Sequence, residues 1–137
     1  MAKTSSLACA IRVITPLSGE AAGTIEQVQL LLAGMLDAVE IEEGETLRGQ
    51  IARITDVRGS CECGCGSTAV VVAGASASTY AGILPIHGDV YAADGTYRGG
   101  VMVRMTQGLV ADLEVWSIGD DQLPFPEPDQ VTWRKEP

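Results

Sequence analysis

Aromatic side chains are scarce: one Phe, two Trp and three Tyr in 137 residues. A core that cannot draw on large rings has to be filled with Val, Ile, Leu, Met and Ala. Cations are also short, with nine Lys and Arg against eighteen Asp and Glu, a net charge of −9. Such a chain repels a phosphate backbone, so no nucleic-acid binding is expected; the charge serves solubility or complements a basic partner. No window supplies the roughly 18 uncharged apolar residues of a membrane-spanning helix. Residues 1–16 carry Lys3, but their apolar run is interrupted at Arg12 and no small-residue cleavage pattern follows. The expectation is therefore a cytoplasmic address without a signal peptide, in which thiols stay reduced. There is no phosphate-cradling G-x-x-x-x-G-K-[ST] segment and no G-x-G-x-x-G in a suitable context. A single histidine leaves little for general acid and base chemistry.

Hydrophobic residues make up 46% of the chain and charged ones 20%, a balance that folds. At this length one domain is expected, burying roughly two thirds of the surface its unfolded chain exposes. LACAIRVIT (residues 7–15) alternates and is closed by Pro16, which suggests a strand. Thr24 stands three residues before Gln27, the spacing of a reciprocal cap at a helix start. Ile25, Val28, Leu32, Met35 and Leu36 then come at helical intervals with Leu31 and Val39 alongside, and the helix is expected to end between Asp37 and Gly44.

From Leu47 onward the period becomes two. LRGQIARITDV (residues 47–57) is read as a strand, and so is the β-branched TAVVVAG (residues 68–74). ILPIHGDVYAADG (residues 83–95) alternates up to the turn signal Asp94-Gly95. GGVMVRMTQG and LVADLEVWS set Val101, Val103 and Met105 against Leu109, Ala111, Leu113 and Val115 around a tight turn at Gln107-Gly108. The opposite face of that last strand presents Asp112, Glu114 and Trp116 to solvent or to a partner. The expected fold is α+β, one amphipathic helix packed on an antiparallel β-meander of four to six strands, over residues 1–118. Residues 119–137 contain Pro124, Pro126 and Pro128 and are read as an extended acidic tail or strap, pinned to the body by Phe125 and Trp133.

One stretch concentrates the unusual chemistry. In RGSCECGCGSTAVVV (residues 58–72) three cysteines occupy every second position, so an extended backbone would turn Cys61, Cys63 and Cys65 to one side. Three thiolates supply three of zinc's four tetrahedral positions, and His87 or Cys9 would have to arrive through the fold as the fourth. The paired C-x-x-C units of structural zinc sites are missing. The competing reading makes the cysteines small buried residues packed at a hairpin corner, and a third makes them redox-active. His87 and Asp89 share a strand face and form the one candidate acid and base pair.

The segments ITDVRGSCECGCGSTAVVV and GLVADLEVWSIGDDQLPFPEP resemble an uncharacterised family of small bacterial proteins. There, a C-G-C-G-C-P-S-like segment joins two strands, and the chain closes with an L-x-x-L-E-x-x-S strand before an acidic, proline-containing end. The resemblance spans residues 48–128, with Glu62 and Gly66 where glycine and proline are expected. It implies that the cysteine segment is an element of the fold and implies no activity. The functional expectation is a small acidic non-enzymatic interaction module, of the immunity or accessory kind, that binds a basic protein through Asp112, Glu114 and Trp116. It needs no cofactor. The alternatives are a zinc-stabilised domain using Cys61, Cys63, Cys65 and His87, and a thiol-dependent enzyme.

Overall fold

The structure, a computed structural model, describes residues 22–60 and 65–136. The strand expected over residues 7–15, together with Cys9, Cys61 and Cys63, lies outside the described residues.

The first helix, α1 (Ile25–Ala38), begins at the expected cap: the Gln27 amide donates to Thr24 Oγ1 at 3.1 Å and the Thr24 amide to Gln27 Oε1 at 2.9 Å. These two bonds satisfy donors that a helix start otherwise leaves to water. Val28, Leu31, Leu32, Met35 and Leu36 form its buried stripe. Val39 ends it in an extended conformation, as a β-branched residue readily does.

A second helix, α2 (Gly44–Ala52), replaces the first half of the strand expected over residues 47–57. The residues that decide it are Leu47, Gln50 and Ile51, all buried and spaced three and four apart. The helical stripe escapes a binary reading because one of its three members is a glutamine. Gln50 is wholly enclosed, yet its amide has no unmet bond: Nε2 donates to the carbonyls of Ser76 (3.0 Å) and Gly108 (2.8 Å), and Oε1 accepts from Val110 N–H (2.9 Å). Glu43, in a left-handed conformation with φ 64°, precedes the helix, and its carboxylate accepts from both the amide and the hydroxyl of Thr79.

Six strands complete the fold: β1 (Ile54–Gly59), β2 (Thr68–Val72), β3 (Gly82–Tyr91), β4 (Tyr97–Thr106), β5 (Leu109–Ser117) and β6 (Val131–Lys135). They make one antiparallel sheet in the order β1-β2-β5-β4-β3-β6. The expected meander is its centre, β3-β4-β5. Gln107 and Gly108 have φ of 54° and 81°, the paired positive values of a two-residue hairpin whose twist matches that of the strands. Gly95, at φ 91°, turns the other hairpin.

Both helices cover one face of the sheet. α1 touches β1 and β6, the two edge strands, and therefore crosses the whole sheet, while α2 packs on β5. The dimensions agree: fourteen residues make a helix about 21 Å long, and six strands spaced by about 4.8 Å span about 24 Å. Val28, Leu31 and Leu32 meet Leu84, Ile86, Val101, Val103 and Leu113 in the resulting core.

The segment expected as a tail carries the sixth strand. Its prolines stay out of the ladder: Leu123 and Phe125 are buried, Pro128 opens a single 3₁₀ turn (Pro128–Gln130), and only then does Val131–Lys135 pair with β3. Phe125 and Trp133 both pack within the chain, as the sequence suggests. Among the described residues no helix is long and apolar enough to cross a membrane.

Removing the Gln50 amide should orphan the Val110 amide and one bond each at Ser76 and Gly108. Gln50→Leu, which keeps most of the volume, is expected to lower the unfolding free energy by about 3 kcal/mol, measured by urea denaturation. A loss below about 1 kcal/mol would mean that water or a rearranged loop replaces the amide at no cost.

Candidate functional site

Strand alternation divides the sheet into a face under the helices and an outer face. On β5 it turns Asp112, Glu114 and Trp116 outward together, as the sequence pattern predicts, while Leu113 and Val115 are buried. On β3 it turns out Ile83, Pro85, His87, Asp89 and Tyr91 and buries Leu84, Ile86 and Val90. Tyr97 joins them through a bulge. Val90 pairs with Gly99 but Tyr91 pairs with Tyr97, so Arg98 is the extra residue and the strand phase is reset beyond it.

The result is an aromatic row. Trp116 lies 6.1 Å from the His87 ring and 6.5 Å from Tyr97 in an edge-on contact, and Tyr97 lies 5.6 Å from Tyr91, all within the range of favourable ring pairs. The indole rests on Gly100, its cross-strand neighbour, where a β-carbon would come within 2.6 Å of Cζ2. On the inner face Trp133 covers Gly88, its own cross-strand neighbour, in the same way. Each tryptophan of the chain thus takes the space that a strand glycine leaves open, which explains glycine inside two otherwise β-branched strands.

Charges flank the row on both sides. Arg104 on β4 reaches across to β5, donating from Nε to Asp112 (3.4 Å) and from Nη2 to Glu114 (2.5 Å). Arg134 on β6 donates from Nε to Asp89 (2.9 Å) and from Nη1 to Glu136 (3.4 Å). Two carboxylates share one guanidinium in each group. Asp112 and Glu114 are therefore not a bare acidic surface. Their half-buried setting still matters: desolvation outweighs Arg104 and holds the Asp112 carboxyl above its ordinary range. Burial, and then the Asp89 carboxylate, hold the Tyr97 phenol above its own, so it stays a hydrogen-bond donor at neutral pH.

His87 belongs to this outer face. Its Nε2 is 3.7 Å from Asp89 Oδ1 and its Nδ1 is 3.6 Å from Glu136 Oε2, beyond hydrogen-bonding distance in both cases. Cys65 is buried just ahead of β2, and two strands stand between β2 and β3, a lateral offset of about 14 Å. The structure therefore does not bring His87 to Cys65. Cys61 and Cys63 fall outside the described residues, among which no group of three potential ligands is placed to hold a metal.

Immediately after Cys65 the chain forms a structural crossing. The Gly66 amide donates to the Leu123 carbonyl at 2.7 Å, and a β-carbon at Gly66 would lie 2.0 Å from the Phe125 nitrogen. Ser67 Oγ exchanges both hydrogen bonds with the backbone of Val115, and Thr68 Oγ1 accepts from Gly23 N–H while donating to the Gly66 carbonyl. This short run ties together the entry to α1, strand β5 and the C-terminal strap.

Compared with protein-family models, with curated proteins and with solved structures, the chain matches none.

The direction of the Asp112 shift gives a pH prediction. A carboxyl whose folded pKa is raised binds more protons folded than unfolded between its two pKa values, so its contribution to stability falls as pH rises through that window, from about 3.9 upward. Asp112→Asn removes this falling component. The stability of the variant relative to the parent should therefore climb across the window and level off above it, measured by urea midpoints at a series of pH values. A flat difference would show that Arg104 compensates the carboxylate fully. Separately, Gly100→Val should displace the indole of Trp116, changing the near-ultraviolet dichroism and leaving the far-ultraviolet spectrum intact.

Proposed function

We propose that this protein is a non-enzymatic interaction module that binds a partner protein through the outer face of its sheet. The single observation that carries the reading is the row Trp116, Tyr97, Tyr91 and His87, seated over Gly100 on a face that no described element covers. Binding interfaces favour a centre of large, rigid, amphipathic rings with a rim of charge, because rings supply contact area at little entropic cost and the rim fixes orientation.

Arg104 with Asp112 and Glu114 forms one rim and Arg134 with Asp89 and Glu136 the other. Their geometry refines the expectation of an acidic patch. Recognition centres on Trp116, and the carboxylates contribute as half-compensated pairs. The net charge of −9 acts over a longer range, speeding encounter with a basic protein more than tightening the final complex.

A partner captured by the parent protein from its source cell should be lost with Trp116→Ala and retained with Leu30→Ala, a change on the exposed side of α1. Removing an aromatic anchor of this kind should weaken binding about thirtyfold or more. Its association rate should fall with added salt. Capture that survives Trp116→Ala in a folded variant would overturn the reading.

A further inference from the structure

Among the described residues β1 and β6 are the two edges of the sheet, protected in different ways, and one of them is complementary to itself. At β6 the exposed strand carries Arg134 and Lys135 and no acid, and Arg134 is already engaged by Asp89 and Glu136. A second β6 laid against it would meet only like charge, which is a usual defence of a free edge.

At β1 the pattern is different. Ser60 N–H bonds to the Ser67 carbonyl, and Arg58 and Asp56 lie in register opposite Ala69 and Val71. In an antiparallel ladder the residues that exchange hydrogen bonds alternate. Ser60, Arg58 and Asp56 therefore spend their backbone groups on β2, and those of Val57 and Gly59 point away from the sheet. The outward Val57 amide confirms the phase by taking its own neighbour's side chain, Asp56 Oδ1, at 2.9 Å. Asp56 and Arg58 are both exposed on the outer face, and Arg58 makes no ion pair among the described residues.

We propose that β1 is the self-association edge of this protein, pairing antiparallel with β1 of a second copy about a two-fold axis through Val57. Centred there, Val57 faces Val57 and exchanges both backbone hydrogen bonds. Asp56 of each copy then stands opposite Arg58 of the other, in the closer type of cross-strand pair, where opposite charges attract and like charges repel. The Asp56 carboxylate leaves the Val57 amide for that guanidinium, and the amide passes to the facing Val57 carbonyl, so no donor is left unpaired. Val57, packed against the core, meets its copy on the helix-covered side. The bulge between Ile54 and Asp56 limits the joint to a few residues, which makes the dimer weak and concentration-dependent. The two-fold axis stands perpendicular to the sheet, so both aromatic rows face the same way in a twelve-stranded sheet.

Sedimentation velocity over a wide concentration range, up to millimolar, tests this. The parent protein should pass from monomer to dimer, with the amides of Val57 and Gly59 gaining hydrogen-exchange protection as it does. Arg58→Asp sets Asp against Asp, and Asp56→Arg sets Arg against Arg. Each should weaken association at least tenfold. The double swap Asp56→Arg with Arg58→Asp restores opposite charges and should restore the dimer. A parent that stays monomeric, a single reversal that dimerises as well as the parent, or a double swap that stays monomeric would each overturn the assignment. Far-ultraviolet dichroism checks that every variant is folded.

Discussion

The fold turns on an amide in the wrong place for a simple hydrophobic core. Gln50 sits where α2, the loop after β2 and the β4–β5 hairpin converge, and its three hydrogen bonds go to backbone groups of the latter two. The Gly108 carbonyl is shared, accepting from Gln50 and from both the amide and hydroxyl of Ser78. An apolar residue at position 50 would fill the space and leave the buried Val110 amide without a partner. The amide therefore fixes how the helix lies on the hairpin, and a contact between leucines alone would allow it to slide. That the described residues contain no buried side-chain polar atom without a partner shows how completely this arrangement is satisfied.

A second crossing plays a comparable part at the other end of β2. Gly66, Ser67 and Thr68 join the strap, β5 and the start of α1, and the approach of Phe125 to Gly66 admits no side chain. Position 66 is where the resemblance to cysteine-segment proteins expects a proline. A proline has no amide to give the Leu123 carbonyl, so glycine here goes with a strap that runs directly over the corner. The cysteine segment thereby leads into a rigid junction.

How much of this could be read from the residues depends on whether the deciding force is local. The cap at Thr24 and Gln27, the stripe of α1 and the turns at Asp94-Gly95 and Gln107-Gly108 are set by neighbours in the chain, and all form as the sequence indicates. So does the common outward face of Asp112, Glu114 and Trp116. α2 is hidden because its buried stripe includes Gln50, whose partners are supplied by the fold. β6 is hidden behind three prolines that bar a central strand but not the edge strand beyond them. On the site, Arg104 and Arg134 act across strands, and Tyr97 depends on a bulge. No period along one strand reports either. The separation of His87 from Cys65 is hidden for the same reason, since strand order is a property of the whole sheet.

The bulges show how small irregularities distribute function over a regular sheet. Without the extra residue at Arg98, Tyr97 would turn to the core side and the row would stop at Trp116. Without the one at Ala111, Val110 would turn to the outer face with Asp112 and Glu114 and could not be buried along with Leu113 and Met105. Period-two alternation can satisfy a core or a surface pattern, and each added residue lets one strand satisfy both. A further bulge, at Thr55, lies on the edge and shortens the straight part of β1 to the stretch bearing Asp56, Val57 and Arg58. The same device that aims the aromatic face thus also limits how much of the β1 edge, unpaired among the described residues, another strand can use.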